Sequence, residues 1–157
     1  MKEIEYPSAI AAVDIIPFHY ADGSYNILLG RKEKHGGKLC FIGGFVDAEK
    51  DEDFLEAAKR ELSEEVPSFD VAGRWYQYLF STRVDDPRYR ERRSKIYTSF
   101  FSVQTHAMLS EIAGDDLDEV VWASLDSLVE NPDTLVEEHS KLIGAVAFKL
   151  KIKHQNE

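Results

Sequence analysis

Glu61, Glu64 and Glu65 stand at i, i+3 and i+4, so a helix through them gathers three carboxylates on one face. Like charges at that spacing repel and weaken the helix unless a cation sits among them. Hard divalent ions such as Mg²⁺ take oxygen ligands and share their coordination with substrate phosphates. The chemistry that suits the cluster is metal-assisted attack on a phosphate chain. A bare Glu-x-x-Glu-Glu ordinarily means a solvated acidic face. Here Gly43-Gly44-Phe45-Val46 precedes it, Arg60 is embedded in it, and Leu55, Ala58, Leu62 and Val66 supply an apolar side.

With Glu52 seven residues before Arg60, the run Glu52…Arg60-Glu61-Leu62-Ser63-Glu64-Glu65 resembles the Nudix hydrolase motif. Two features depart from it. Gly44 lies two residues too far from Glu52, which lengthens the intervening loop, and loop closure depends only weakly on length. Pro67 stands where the family has Gly, and proline still ends the helix. The resemblance covers nearly the whole chain and implies an α/β fold, a Nudix-type α/β/α sandwich around a mixed β-sheet. It also implies Mg²⁺ (with Mn²⁺ as a substitute) on Glu61, Glu64, Glu65 and the backbone carbonyl of Gly43 or Gly44. Glu52 and Arg60 would support that site, and the general base would be a motif glutamate such as Glu64 or a later acid. Asp115, Asp116, Asp118 and Glu119 are the later candidates, with Asp116 or Asp118 favoured.

The loop over residues 81–95 carries Arg83, Arg88, Arg90, Arg92 and Arg93 in an otherwise acidic chain. Asp85-Asp86-Pro87-Arg88-Tyr89-Arg90, followed by Ile96-Tyr97-Thr98-Ser99-Phe100-Phe101, resembles the Asp-Pro-Arg segment of ADP-ribose pyrophosphatase-like Nudix proteins. That branch implies a nucleoside diphosphate linked to another moiety as substrate, with ADP-ribose preferred. Arg83, Arg88 and Arg90 would grip the diphosphate or ribose, and Phe18, Tyr20 or Tyr89 would stack on adenine. The competing reading pairs these arginines with Asp85, Asp86 and Glu91 on a solvated hairpin. His139 has the position of an acidic-His pattern near Nudix C-termini, and a packing or capping role outweighs a catalytic one.

Several elements must position these groups. Residues 8–18, with Ile10, Val13, Ile15 and Ile16, read as a buried strand, and Asp22-Gly23-Ser24 turns it into a hairpin partner over 25–29. Residues 39–42 form a short strand that delivers the chain to Gly43-Gly44, and the motif helix runs from Glu52 to about Val66. Strands follow over 75–84, 96–104 and 119–123. A helical turn capped by Ser124 or Asp126 comes next, and Leu135, Leu142, Ile143, Val146 and Leu150 mark a closing helix over 134–150.

The 157 residues suit one domain with a single core, 1–157. No apolar run has the length of a membrane span, no secretory signal is visible over residues 1–5, and the lone Cys40 reads as a core residue. A cytoplasmic location is expected. The net charge of −10 argues against nucleic-acid and anionic-membrane partners. It does not argue against a phosphate ligand, because metals and local arginines set the field inside a cleft. The expected partner is a small nucleotide, with a homodimer common among such relatives. The alternatives are a nucleoside-triphosphate housecleaning pyrophosphatase and a non-catalytic ADP-ribose-type sensor. The sensor is disfavoured by the three retained carboxylates and by the expectation that 157 residues leave no room for a DNA-binding domain.

Overall fold

Apolar alternation on the first strand organises both faces of the sheet. In the computed structural model, which describes residues 6–114 and 116–156, that strand is β1 (Ala9–Ala21). Residues 1–5 and Asp115, one of the later acid candidates, lie outside the described residues. β1 turns through Asp22 (φ 51°) and Gly23 (φ 79°) into β2 (Ser24–Arg31). Two successive positive φ values give the twist that an antiparallel hairpin needs, and Asp-Gly supplies them at low steric cost. Then come β3 (Leu39–Cys40), β4 (Ile42–Phe45), helix α1 (Phe54–Glu65), β5 (Tyr76–Val84), β6 (Lys95–Gln104), β7 (Glu119–Ser124) and three helices, α2 (Leu125–Glu130), α3 (Glu137–Ser140) and α4 (Ile143–Gln155).

These strands form a mixed sheet in the order β3-β2-β1-β6-β5, with β4 added to β1 and β7 added to β2. β1 is long enough to serve three partners. Its first half pairs antiparallel with β4, its second half with β2, and β6 runs parallel to it from Ala9 to Phe18. Side chains alternate across a strand, so Val13 and Ile15 pack with Ala57, Ala58 and Leu62 of α1 and with Val66 at its end. Ile16 and Phe18 pack on the other face with Leu125, Leu128, Ile143, Val146 and Leu150 from α2 and α4. The result is the expected α/β/α sandwich. Among the described residues no helix is long and apolar enough to cross a membrane.

One expected element is broken. The closing helix over 134–150 is instead a 3₁₀ turn (Pro132–Thr134), the four-residue α3, and α4, which continues to Gln155. The chain is pulled straight at Leu135, which bridges to Leu39, and the Val136 N–H donates to the Leu39 carbonyl (2.9 Å). Helical spacing of the apolar residues persists across that interruption, so the pattern hides it. The break brings His139 back beside β3 and β4.

Candidate active site

Asp53 starts α1. Its extended backbone lies outside the helix, and its side chain accepts from the Glu56 N–H (2.8 Å), a standard N-terminal cap. At the other end Pro67 cannot continue the helix, and the loop before β7 folds back so that the Gly114 N–H donates to the Glu65 carbonyl (2.7 Å). This long-range cap fixes the last turn of α1 and brings Asp116 to the same cavity as Glu65.

That cavity has a volume of about 770 Å³. One wall is α1 with Arg60, Glu61 and Glu65. Gly43, Gly44 and Phe45 of β4 form the middle, and the opposite wall holds Asp14, Thr98, Asp86, Arg88 and His139. Glu65 is 6% exposed and accepts from the Gly43 N–H (3.1 Å). Burial pushes its carboxyl up to about 7, with the Gly43 N–H opposing. Glu61 is also raised by burial, with Arg60 opposing. Gly44 touches Glu61 so closely that a Cβ there would fall 2.6 Å from the Glu61 carboxylate. Glu64 is half-exposed, at the end of a bond from Arg60 Nη1 (3.2 Å).

Arg60 is held at every nitrogen. Nε and Nη2 donate to the two oxygens of Asp51 (2.8 and 2.9 Å), Nη2 also to the Phe45 carbonyl (3.1 Å), and Nη1 to Glu61 (3.0 Å). Asp51, with a side chain only 2% exposed, also accepts from the Asp47 N–H, and the Arg60 fork holds its carboxyl down at about 2. In this structure the carboxylate that pairs with Arg60 from the loop is Asp51, not Glu52. Glu52 is exposed, with no side-chain hydrogen bond or ion pair among the described residues. The physical reason is the lengthened loop. Residues 47–51 close into a turn, with the Asp51 N–H donating to the Asp47 carbonyl (2.8 Å), which aims residue 51 inward and leaves residue 52 outside. Asp51→Asn should cut kcat/KM by roughly 10–100-fold, as losses of carboxylate-orienting partners do. Glu52→Gln should stay within about twofold of the wild type on the same scale. Steady-state kinetics on the two variants check this, and the reverse ranking would restore Glu52.

The remaining expected residues divide sharply. Arg88 reaches the cavity, clamped through Nε and Nη2 onto the two oxygens of Asp86 (3.0 and 2.6 Å). Burial alone would raise Asp86, but these bonds hold it below the usual carboxylate range. Arg83 and Arg90 line a separate hollow of about 440 Å³, and Arg90 is already paired with Asp85 and Glu137. Phe18 is core, 4% exposed and packed on Tyr25 and His154, and Tyr20 packs on that same pair. Neither lines the cavity; the buried Phe41 and Phe45, 45% exposed, do, and Tyr89 stands beside Phe45 with ring centroids 6.5 Å apart. Of the later acids, Asp116 lines the cavity. Asp118 accepts from the Glu33 N–H (2.7 Å) and Glu119 from Arg31 (2.8 Å), both away from it.

Asp14 and Thr98, 8% and 1% exposed, were not among the expected site residues, and Asp86, 4% exposed, was expected only as an arginine partner, which it is for Arg88. The available signal for Asp14 was one acid inside the apolar run Val13-Asp14-Ile15-Ile16. His139 is partly buried and neutral, driven down to about 3 by burial. Its Nδ1 accepts from the Phe41 N–H (3.0 Å), which puts the proton on Nε2 and makes it a packing residue of the cavity wall.

The profile of the NUDIX domain family matches residues 8–146. No curated protein matches the chain. Among solved structures, the NUDIX domain of Shewanella oneidensis NrtR, complexed with ADP ribose, is similar at 22% identity and TM-score 0.70, over 92% of this chain and 90% of that one. A MutT/nudix family protein from Enterococcus faecalis is similar at 24% identity and TM-score 0.60, over 79% of this chain, which spans about half (47%) of that protein's length. A C. elegans Ap4A hydrolase in a binary complex is similar at 14% identity and TM-score 0.67, over 90% of this chain and 98% of that one. At these identities the likeness is one of fold.

Proposed function

The chain belongs to the NUDIX family, and from that premise we propose that it is a divalent-metal-dependent hydrolase of a nucleoside diphosphate linked to another moiety, with ADP-ribose the foremost substrate. The observation that carries this reading is the two-sided cavity, a carboxylate wall of Glu61 and Glu65 facing Arg88 across Gly43-Gly44. The NrtR domain of the same fold, seen with ADP ribose, adds support for the choice of ligand.

The residues suit a hard cation. Glu65 is a buried carboxylate whose pKa stands near 7 with one backbone N–H as its donor, and Gly44 has no side chain to block Glu61. Among the described residues no three such side chains yet converge on one point, because Arg60 Nη1 lies between Glu61 and Glu64. Gathering the three requires that nitrogen to let one of them go, while Asp51 keeps the rest of the guanidinium in place. Glu61, Glu64, Glu65 and the Gly44 carbonyl would hold Mg²⁺, or Mn²⁺ in its place, which when bound neutralises phosphate charge and lowers the pKa of a water. Arg88, fixed by Asp86, offers the diphosphate a preset fork from the opposite wall. Among the described residues Asp116 is the later-loop carboxylate that lines the cavity and is assigned as the acceptor of the water's proton. Phe45 and Tyr89 give the base an apolar face. On this reading the whole chain works as one domain, in the cytoplasm, on a small nucleotide and without nucleic acid.

The test is product analysis. ADP-ribose with Mg²⁺ should yield AMP and ribose 5-phosphate, and excess EDTA should stop the reaction. Cleavage of triphosphates only would remove ADP-ribose as substrate. Tight binding without cleavage would turn the enzyme into a sensor.

A further inference from the structure

The cavity contains a buried carboxylate that the site above does not use. Val13 and Ile15 point to the α1 side of the sheet and Ile16 and Phe18 to the α4 side, so alternation places Asp14 on the α4 side, away from Glu61 and Glu65. Thr98 stands on the neighbouring strand β6, and its hydroxyl donates to Asp14 Oδ2 (2.5 Å). An ionised carboxylate can accept about four hydrogen bonds. Among the described residues no hydrogen bond reaches Asp14 Oδ1, although both residues line the cavity. Oδ1 is not sealed off from the cavity, so a group arriving there can supply the donor that it lacks. Burial raises the Asp14 carboxyl to about 7, with Thr98 opposing, and among the described residues no arginine or lysine forms an ion pair with it.

The type of donor follows from the surroundings. Phe41, the aromatic ring on this floor, is already covered by His139 (4.5 Å) and Phe100 (5.3 Å). The floor therefore offers an acceptor and no free stacking face, whereas Phe45 is exposed. A flat base belongs with Phe45 and Tyr89, and a hydroxyl-bearing group with Asp14. Resting on the function proposed above, we propose that Asp14, oriented by Thr98, is a specificity residue that accepts a hydrogen bond from a hydroxyl of the sugar joined to the diphosphate.

The test compares two substrates that both release AMP, ADP-ribose and the ADP ester of tetrahydrofurfuryl alcohol, which lacks the sugar hydroxyls. Wild type should favour ADP-ribose in kcat/KM by about tenfold or more, the worth of one hydrogen bond to a charged group. Asp14→Ala should bring the ratio close to one, and Thr98→Val should lower it partway. Structural damage would depress both substrates together and leave the ratio intact. Thr98→Val keeps the test available if Asp14→Ala does not fold. An unchanged ratio in the variants, or none in wild type, overturns the assignment. So does an Asp14→Ala ratio that changes only against a purine-riboside analogue lacking the adenine amine, because the carboxylate would then read the base. A wild type that cleaves neither ester sinks the parent function, a result distinct from equal cleavage of both.

Discussion

Glu65→Gln is expected to lower kcat by on the order of 10²–10³ while making the metal-free protein more stable above pH 7. The loss of rate follows from removing a charged oxygen donor from the carboxylate wall. The fold should survive, because the glutamine oxygen can still accept from the Gly43 N–H at the position Glu65 uses now (3.1 Å). The stability gain is a matter of linkage. Glu65 has its ordinary value of 4.5 in the unfolded chain and about 7 in the folded one, so between those values the folded state binds more protons than the unfolded state. Stability then falls as pH rises through that window. A shift from 4.5 to about 7 corresponds to roughly 3 kcal/mol, fully felt above the folded value and absent below the unfolded one. Glutamine has no proton to lose and removes this slope. Asp14, raised from 3.8 to about 7, keeps a slope of the same sign in both proteins. Urea denaturation in EDTA at pH 5 and pH 8 should therefore show the variant gaining on wild type only at the higher pH. Added Mg²⁺ should stabilise wild type more than the variant, since a cation that binds only the folded state shifts the balance toward it. Parallel pH profiles for the two proteins would show that Glu65 is not the buried titrating group. Undiminished turnover would remove it from the site.

What the sequence made legible tracks periodicity. Within α1 the 3.6-residue repeat fixes which residues share a face, so Arg60, Glu61 and Glu65 fall where the helix pattern places them. The partner of Arg60 was not legible. It lies in the turn over 47–51, where no repeat operates and a one-residue choice between Asp51 and Glu52 depends on how the loop closes. The arginines differ for a similar reason. Arg88 and Arg90 carry the same charge two positions apart, but Arg90 meets Glu137, and Asp85 also meets Lys141, contacts that only the folding of a distant segment creates. Phe18 was readable as core from the alternation that buries Ile16 beside it. An aromatic residue's capacity to stack on a ligand says nothing of which side of the sheet it occupies.

Gly43→Ala and Gly44→Ala are expected to fail in opposite ways, although the residues are neighbours on one strand. A Cβ on Gly43 would lie 2.2 Å from the Val13 carbonyl oxygen and 2.9 Å from the Asp14 Cα, backbone atoms of the adjoining strand. Gly43 and Asp14 are register partners on β4 and β1, so relief requires the ladder to open where the sheet is most constrained. Overpacking of this kind costs about 3 kcal/mol. For a chain of this size that is a fall in Tm of roughly 6–12 °C. A Cβ on Gly44 meets only the carboxylate end of Glu61, at 2.6–2.7 Å. That group is the far end of a flexible side chain and can rotate away, so the Tm should move by less than about 4 °C, the equivalent of 1 kcal/mol. Displacing Glu61 carries it off the cavity wall and weakens its grip on Arg60 Nη1 (3.0 Å). Gly44→Ala should accordingly lose about 10–100-fold in kcat/KM with its fold intact. Melting curves and kinetics on both variants decide the matter. Two equally stable variants would mean that β4 is free to move relative to β1. A fully active Gly44→Ala would mean that the rate does not depend on where Glu61 stands, and the carboxylate wall would then lose its claim to the chemistry.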